Sequence, residues 1–442
     1  MQLSESTAME STALHPSSKV VVVHRGARDA YQVSQALAEA GLLQSLVTDL
    51  YWPHDRGWAK ALTRLLPSSA RRMLMGRYAS GLPSSSVRLC YPSGPLSFLL
   101  DKLPGVSFSR RRRAQRWTDA ALGTLGGHLA EETNAKLLSY SYYGYHAFSA
   151  YCRPGILFQV HPHPASVRRL LRQELEAHPE CGASLQKEWE LALPEEDFQR
   201  LTAEAEMAAH FICASSFTRK TLIENGTPAG LIDVVPYGID SQRFRPASPV
   251  DKSESSRFRL LFVGTINQRK GIKYLLETLR LLRGKQVELV VCGRVVDDLK
   301  IFEPFQSQVE IRPSVSFPEL LRAYQESDLF VFPSVVEGFA QVLLESLSCG
   351  LPVLSTTHTA APDLIEEGIQ GFVVEPRRPE LMAEKIDWLI RHRPQLREMK
   401  YAARQKAEQF TWDRFRKGVV ASVQSFQPTR DGEEQERLIQ YV

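Results

Sequence analysis

Two segments of the sequence place polar side chains directly after apolar, strand-like runs, where open α/β sheets commonly bind ligands. The run 328–332 leads to Glu337 and Gly338, and the helix-like stretch that follows carries Glu345. A helix would bring Glu345 back near the same face, because it lies about two turns further on. Carboxylates placed there would accept hydrogen bonds from the hydroxyls of a sugar or a ribose. The alternative is one helix-capping glutamate and one solvated glutamate.

The run 259–263 leads through a second loop to Arg269, Lys270 and Gly271, where another helix-like stretch begins. Fixed cations beside the unpaired amides of a helix start can hold phosphate without a metal. No Asp-x-Asp pair that would hold a divalent ion on a diphosphate occurs on a loop. We therefore expect phosphate binding with no metal and no cofactor. The alternative is an ordinary surface Arg–Lys pair.

Strand and helix patterns alternate in both halves of the chain, and a polar, proline-bearing linker at 244–251 separates the halves. The first half predicts strands at 19–24, 45–48, 136–140, 156–160, 210–214 and 232–236, with helices at 30–40, 165–176 and 185–206. The second half predicts strands at 259–263, 287–292, 309–312, 329–332, 353–355 and 372–374, with helices at 272–282, 318–326, 340–348, 361–367 and from 379 onward. The pattern indicates two parallel α/β sheets in series whose strand ends face a deep cleft.

Composition excludes several classes of protein. With 442 residues, 43% of them hydrophobic, the chain is long enough for two domains, and its net charge of +4 argues against nucleic acid as a partner. No run of 18 apolar residues and no signal-like start occurs, and the six cysteines are scattered. We expect a cytoplasmic protein with reduced thiols.

Positive charge is concentrated between residues 51 and 120, which hold thirteen Lys or Arg against three Asp, a local +10. Tryptophan, leucine and methionine are interleaved with these cations. Such a segment suits an anionic membrane surface or an acidic acceptor. The alternative is a solvated arginine-rich face on ordinary helices. The basic residues are Arg56, Lys60, Arg64, Arg71, Arg72, Arg77, Arg88, Lys102, Arg110, Arg111, Arg112, Arg113 and Arg116.

Several ordered segments resemble the retaining GT-B glycosyltransferases of glycosyltransferase family 4 (group 1). They are VPYGID at 235–240, LLFVGTINQRKGIKYLLETL at 260–279, DLFVFPSVVEGFAQVLLESLSCGLPVLST at 328–356, APDLIEEGIQGFVVEP at 361–376 and FTWDRF at 410–415. The resemblance implies an α/β GT-B fold in which two Rossmann-like domains with parallel sheets face a central cleft. Residues 1–18 would be a disordered lead-in, 19–245 the acceptor domain with a basic insertion near 51–120, and 246–410 the donor domain. Residues 411–442 would form a helix that packs back on the N-terminal domain, and then a tail.

The resemblance also implies roles for particular residues. Glu337, Lys270 and His161 would act at the reaction centre, with His163 as the second choice for the histidine. The expected donor-binding residues are Gly26, Arg269, Lys270, Arg294, Val315, Glu337, Gly338, Phe339, Ala340 and Glu345. Of these, Lys270 and Arg269 would face the diphosphate, Glu345 the ribose, and Arg294 and Val315 the base. The chain departs from the family at Thr265, where members often have arginine, and at Ala340, where they often have glycine.

The implied function is transfer of a sugar, typically a hexose, from a nucleotide-sugar donor to an acceptor hydroxyl with retention. The acceptor would be a glycan, a lipid or a small molecule, with lipid-linked and anionic molecules among the candidates. The protein would either stay in the cytoplasm or sit peripherally on a membrane's inner face. Two alternatives are an inactive GT-B scaffold that binds a membrane or protein partner, and a nucleotide-sugar epimerase. The sequence leaves open the donor nucleotide and sugar, the acceptor, the linkage, the pathway and the oligomeric state.

Overall fold

The computed structural model describes residues 18–103, 105–247, 257–296 and 298–427. The predicted lead-in, apart from its last residue, lies outside the described residues, as do part of the linker and the tail beyond residue 427.

The first half of the chain forms a seven-stranded parallel sheet in the order β3-β2-β1-β4-β5-β6-β7. Its central strands are wholly buried and rich in valine, leucine and isoleucine, as expected where helices cover both faces of a sheet. The strands are β1 (Val20–Val23), β2 (Leu43–Thr48), β3 (Val87–Leu89), β4 (Lys136–Tyr140), β5 (Gly155–Gln159), β6 (Ala208–Cys213) and β7 (Ile232–Val234).

The helices of this half include four that belong to the basic segment and two short pieces before β6. They are α1 (Gln32–Glu39), α2 (Gly57–Leu65), α3 (Ser68–Met75), α4 (Ser93–Lys102), α5 (Phe108–Glu132), α6 (Gly144–Ser149), α7 (Pro164–Ala177), α8 (Gly182–Leu185), α9 (Trp189–Ala192), α10 (Glu195–Met207) and α11 (Ser216–Glu224).

The second half forms a six-stranded parallel sheet in the order β10-β9-β8-β11-β12-β13. The strands are β8 (Phe258–Val263), β9 (Val287–Cys292), β10 (Val309–Arg312), β11 (Leu329–Phe332), β12 (Val353–Thr356) and β13 (Gly371–Val374). The helices are α12 (Ile272–Leu281), α13 (Phe317–Glu326), α14 (Gln341–Ser348), α15 (Ala361–Leu364), α16 (Pro379–Arg391), α17 (Arg393–Glu408) and α18 (Trp412–Ser425). The predicted fold class, two Rossmann-like domains with parallel sheets, is confirmed.

Helix α18 belongs to the second half in sequence but packs on the first half in space. Its apolar residues Phe415, Val419 and Val423 lie in the core around the seven-stranded sheet. Lys136 on β4 donates a hydrogen bond to the carbonyl of Val423 at 3.0 Å. The two halves are thus joined by the returning helix as well as by the linker.

Three local predictions need correction. The single helix predicted over 185–206 is broken, because Pro194 forces its neighbour Leu193 into extended backbone and α10 starts anew after it. Helix α1 begins at Gln32 rather than Ala30, since residues 29–31 adopt left-handed backbone. The basic segment is also more than an insertion, because it supplies β3, the edge strand paired with β2.

In both sheets the strand order reverses next to the first strand, at β1–β4 and at β8–β11. Loops that leave the carboxyl ends of strands on either side of such a reversal diverge and leave a crevice, where open α/β sheets bind ligands. The loops after β5, β8 and β11 carry His161, Lys270 and Glu337.

Candidate functional site

The centre of the site is an ion pair between Lys270, on the loop after β8, and Glu337, on the loop after β11. Both side chains are mostly buried, with 18% and 14% of their surface exposed. Burial, helped by the neighbouring Arg269, lowers the pKa of Lys270 to about 7. The lysine therefore sits where an added anion would stabilise its charged form.

Two short-range features hold Lys270 in place. The side chain of Asn267 caps the turn by accepting a hydrogen bond from the Lys270 amide at 3.2 Å. Gly271 has a positive φ of 76°, and a Cβ at this position would lie 2.0 Å from the carbonyl oxygen of Pro333. Glycine thus lets the Lys270 loop approach the loop that carries Glu337.

Arg269 contacts both halves of the chain, and its Nε atom donates to the carbonyl of Val336, next to Glu337, at 3.3 Å. Its guanidinium lies 2.8 Å from a carboxylate oxygen of Glu188 and 3.8 Å from Glu190, and Asn267 also donates to Glu188. These carboxylates raise the pKa of Arg269 in spite of its burial. The diphosphate role of Arg269 stays a prediction, and in this arrangement the residue ties the two halves together.

At Gly338 the backbones of the two halves approach each other closely. A Cβ there would lie 2.3 Å from the carbonyl oxygen of Val160. The Gly338 carbonyl accepts hydrogen bonds from the hydroxyls of Ser215 and Thr218. The glycine is therefore required by the contact between the halves, whatever else its amide does.

Phe339 and Ala340 follow Gly338 on this loop, and the part of them that is predicted to contact a ligand is the backbone amide. Phe339 is buried, edge-on to Tyr237 at a ring distance of 5.1 Å. Ala340 has a φ of 66°, so the helix predicted to start at Ala340 begins one residue later, at Gln341. Their amides remain candidates for a ligand, as predicted.

Glu345 lies on α14 and accepts a hydrogen bond from the Tyr324 hydroxyl at 2.9 Å. Burial raises its pKa, and the bond from Tyr324 opposes that shift. Arg294 is exposed on the loop after β9, and Val315 is half-buried on the loop after β10. The strand order β10-β9-β8-β11 puts these loops at the same edge as Lys270 and Glu337. The base and ribose roles remain predictions.

His161 and His163 occupy different environments, although they lie two residues apart. The Nδ1 atom of His161 is buried without a hydrogen-bond partner, and its ring lies edge-on to Tyr142 at 5.6 Å. Burial, followed by the charges of Arg269, Arg28 and Lys270, holds the pKa of His161 well below its ordinary value. His163 instead caps α7, accepting a hydrogen bond from the Ala165 amide at 3.3 Å. His161 is thus the histidine that faces the cations of the site.

Sequence reasoning missed the contacts between the two halves. Glu174 on α7 is completely buried and accepts hydrogen bonds from Gln268 at 2.6 Å, Tyr274 at 2.7 Å and Arg377 at 2.7 Å. It also missed Arg28, whose charge acts on His161. No local signal marks Glu174, which reads as one acid of an amphipathic helix. In the Arg25-Gly26-Ala27-Arg28 turn, only Gly26 is predicted from the sequence to bind the donor, and in the structure its amide donates to Asp49 at 2.8 Å.

Comparison with known proteins finds a family likeness in the C-terminal part. Residues 245–406 match the family model described as "Glycosyl transferases group 1". The matched segment is 162 residues long, a little over a third of the chain. A similar curated protein is the D-inositol 3-phosphate glycosyltransferase of Paenarthrobacter aurescens strain TC1, 29% identical over 206 residues. The match covers 43% of this chain, and the chain spans about half the length of that relative (50%).

The fold extends over nearly the whole chain. Anabaena Alr3699/HepE in complex with UDP superposes with a TM-score of 0.58 at 16% identity, covering 92% of this chain and 100% of that one. The same protein solved with UDP-glucose gives a TM-score of 0.55 at 17% identity, again covering 92% and 100%. Sucrose-phosphate synthase from Thermosynechococcus elongatus gives 0.59 at 15% identity, covering 96% and 100%. These likenesses show the GT-B fold, and the segment that matches the group 1 family model lies in its C-terminal half.

Two further features bear on the predictions. Within the described ranges, no three His, Cys, Asp or Glu side chains converge in a way that could hold a metal ion. In the same part of the chain, no helix is both long and apolar enough to cross a bilayer.

Proposed function

We propose that this chain is a retaining glycosyltransferase of family 4 that moves a sugar, typically a hexose, from a nucleotide-sugar donor to an acceptor hydroxyl. The observation that carries the proposal is the buried Lys270–Glu337 pair, set in the segment that matches the group 1 family model, beside His161 of the other half. The donor class is supported by the relative named a glycosyltransferase and by the fold neighbour that was solved with UDP and UDP-glucose.

In this proposal Lys270 supplies the counter-charge for the donor diphosphate. An arriving diphosphate would compete with Glu337 for the ammonium group, and the carboxylate would then accept hydrogen bonds from the sugar hydroxyls. As the glycosidic bond to the diphosphate breaks, negative charge grows on the leaving phosphate oxygen. Lys270 and the amides of residues 338–340 would stabilise that charge in a site closed to water.

Retention follows from attack on the same face that the leaving group departs from. The leaving phosphate oxygen would take the proton of the acceptor hydroxyl, so that no protein nucleophile is needed. His161, kept neutral by its surroundings, would offer a hydrogen bond to the sugar without adding a charge to the cationic site. The buried contacts at Glu174 and Gly338 would hold both halves in the registration that this reaction needs.

The decisive experiment is a thermal-shift and turnover screen of the full chain against UDP-, GDP- and ADP-sugars. We expect one nucleotide to stabilise the protein, because a ligand that binds only the folded state raises the melting temperature. NMR of the product should show the anomeric configuration of the donor. An inverted product would refute retention, binding without turnover would favour the inactive scaffold, and an isomerised nucleotide-sugar would favour the epimerase.

We also propose that transfer needs no divalent metal, because Lys270 already provides the positive charge that a metal would bring to the diphosphate. The rate with excess EDTA should equal the rate without it. A loss of activity that Mg²⁺ or Mn²⁺ restores would refute this part of the mechanism alone.

Peripheral association with an anionic membrane is the remaining part of the proposal. In the basic segment, Trp58 is 57% exposed and Leu65 82% exposed on α2, and Leu96 and Leu99 are exposed on α4. Apolar side chains among cations match an anionic lipid surface. The arginine cluster contributes unevenly, because Arg111 donates to the carbonyls of residues 101, 103 and 106 and so stabilises the protein itself.

A further inference from the structure

A cavity separate from the Lys270–Glu337 pair lies in the N-terminal half, at the carboxyl ends of β1 and β2. Its volume is about 320 Å³, within the range of small-molecule sites. The walls come from separate parts of the sequence, and three of the lining side chains are arginines. The charged and hydroxyl-bearing lining residues used below are Arg25, Arg28, Arg77, Asp49, Asp101 and Tyr143.

The lining of this cavity, which we call the arginine pocket, holds three arginines and two aspartates. Asp49 is engaged through its Oδ1 atom, which accepts from the Gly26 amide at 2.8 Å, from Thr48 at 3.2 Å and from Arg77 at 3.1 Å. Asp101 accepts from the side chain of Gln115 at 3.0 Å.

The arginines differ in their counter-ions. Arg25 is paired with Asp119, whose carboxylate oxygen lies 3.3 Å from its Nη1 atom. Burial raises the pKa of Asp119 to about 6, and the charges of Arg25 and Arg28 oppose that shift. Within the described part of the chain no Asp or Glu forms an ion pair with Arg28, whose polar partner is the Tyr143 hydroxyl. Buried cations without full compensation are costly unless a ligand supplies the missing anion.

The backbone beside Arg28 is held in an unusual shape. Asp29, Ala30 and Tyr31 follow one another with φ values of 43°, 51° and 64°. The Tyr140 hydroxyl donates to Asp29 at 2.7 Å, and Tyr31 is buried, so the surrounding core maintains this turn. Strained backbone of this kind is concentrated at ligand sites, where it positions a side chain.

The arginine pocket also adjoins the candidate reaction centre. The strand order β1-β4-β5 brings the loop after β1, which carries Arg28, to the same sheet edge as the loop after β5, which carries His161. The charge of Arg28 also acts on His161. We propose that the arginine pocket binds a phosphate group carried by the acceptor, with Arg28 as the main contact and Arg25 and Arg77 on either side. This inference rests on the proposed function, and it adds that the acceptor is a phosphate ester. The ester is either a soluble sugar or polyol phosphate or the phosphate of a lipid headgroup.

The test is isothermal titration of the full chain with inorganic phosphate and with glycerol 3-phosphate, using glycerol as the uncharged control. We expect both anions to bind and glycerol not to bind. Arg28→Gln should weaken the binding of both anions at least tenfold. Arg169→Gln is the matched control, because this arginine is 56% exposed on α7 and pairs only loosely with Glu224, at 3.8 Å.

Phosphate could also enter the donor site, so Lys270→Ala is titrated in parallel. Anion binding that survives Lys270→Ala but not Arg28→Gln supports the arginine pocket. The reverse result, or no binding to the parent chain, overturns it. Arg28→Lys keeps the charge and should restore part of the affinity, which separates a binding role from misfolding. If Arg28→Gln does not fold, Arg77→Gln is used, and unchanged affinity in that variant overturns the proposal.

A second arm separates the two sources of phosphate. Vesicles of phosphatidylcholine with phosphatidic acid should bind more weakly to Arg28→Gln if the phosphate is a headgroup, and equally to both chains if it belongs to a soluble ester. The titration of UDP is measured separately and should not depend on Arg28. Failure of the arginine pocket with intact UDP binding would therefore leave the proposed transferase function standing.

Discussion

The two sides of the cleft are built in different ways. On the C-terminal side, Lys270 and Glu337 come from loops that directly follow adjacent strands, β8 and β11, and they satisfy each other's charge. On the N-terminal side, the arginine pocket gathers Arg25, Arg28 and Arg77 from the loop after β1 and from the basic segment. Arg25 and Arg77 pair with aspartates, whereas among the described residues no Asp or Glu pairs with Arg28. The first arrangement can be read as contiguous motifs, whereas the second exists only after folding. The C-terminal wall can therefore be recognised from the sequence, whereas the N-terminal wall can be recognised only from the structure.

The largest effect should come from removing the cation of the C-terminal side. Lys270→Ala should lower kcat at least about 100-fold, since a lost charge-stabilising donor costs about 2.7–4 kcal/mol of the barrier. The measurement is initial rate at saturating donor and acceptor. Lys285→Ala is the control, because Lys285 is a half-exposed lysine of the same domain that pairs with Asp387. If the activity of Lys270→Ala stays within about threefold of the parent, a barrier difference of roughly 0.7 kcal/mol, Lys270 is not the counter-charge of the diphosphate.

A substitution at the contact between the two sides should come next. Gly338→Ala would push a methyl group to 2.3 Å from the Val160 carbonyl, so the halves must shift apart. We expect a loss of about 1–3 kcal/mol in the free energy of unfolding, as for overpacked interiors, and a drop in kcat/KM of about tenfold or more. Gly230→Ala is the control, since nothing lies within 4 Å of its added carbon. Equal behaviour of the two variants would show that the halves do not need this close approach.

Donor binding should depend on pH through Lys270, whose pKa is lowered to about 7 by burial. Below this pH the lysine is already charged and binding takes up no proton. Above it the lysine is neutral without ligand, so binding a diphosphate must take up a proton and the affinity falls up to tenfold per pH unit. Titration of the bound nucleotide between pH 6 and 9 measures this slope. Lys270→Arg stays charged throughout and should flatten it, and a steep slope in that variant would assign the proton to another group.

The smallest effect should be seen on the outer surface of the N-terminal side. Leu65→Ser combined with Trp58→Ser should reduce co-sedimentation with anionic vesicles several-fold, because both side chains are exposed among cations. Each Lys or Arg near the surface adds about 1 kcal/mol, and this attraction should fade at 1 M salt, where the Debye length is about 3 Å. Leu281→Ser, an exposed leucine of the other domain, is the control. If the parent protein stays in the supernatant at low salt, the basic segment is a solvated arginine-rich face and does not bind the membrane.

The fold was largely predictable because its strands are short, apolar and separated by helices of clear period. The errors arose where backbone chemistry overrode apolar spacing, as at Pro194, which divides the predicted helix 185–206, and at residues 29–31. In the site, the choice between His161 and His163 could be made only in three dimensions. Both follow the same strand, but only His163 reaches the amide that starts α7.

The sequence by itself determined the two-sheet architecture and the positions of Lys270 and Glu337, because period and strand-end position are local properties of the chain. Tertiary structure decided which charged side chains pair with an opposite charge. Arg269 is predicted from the sequence to face the diphosphate, and the fold adds Glu188 and Glu190 of the other half beside its guanidinium. In the sequence Arg28 is one residue of a turn. Only the fold buries it beside Tyr143, where it has no carboxylate as an ion-pair partner among the described residues. Charge compensation depends on distances between residues far apart in the chain, so it is settled only when the two halves meet.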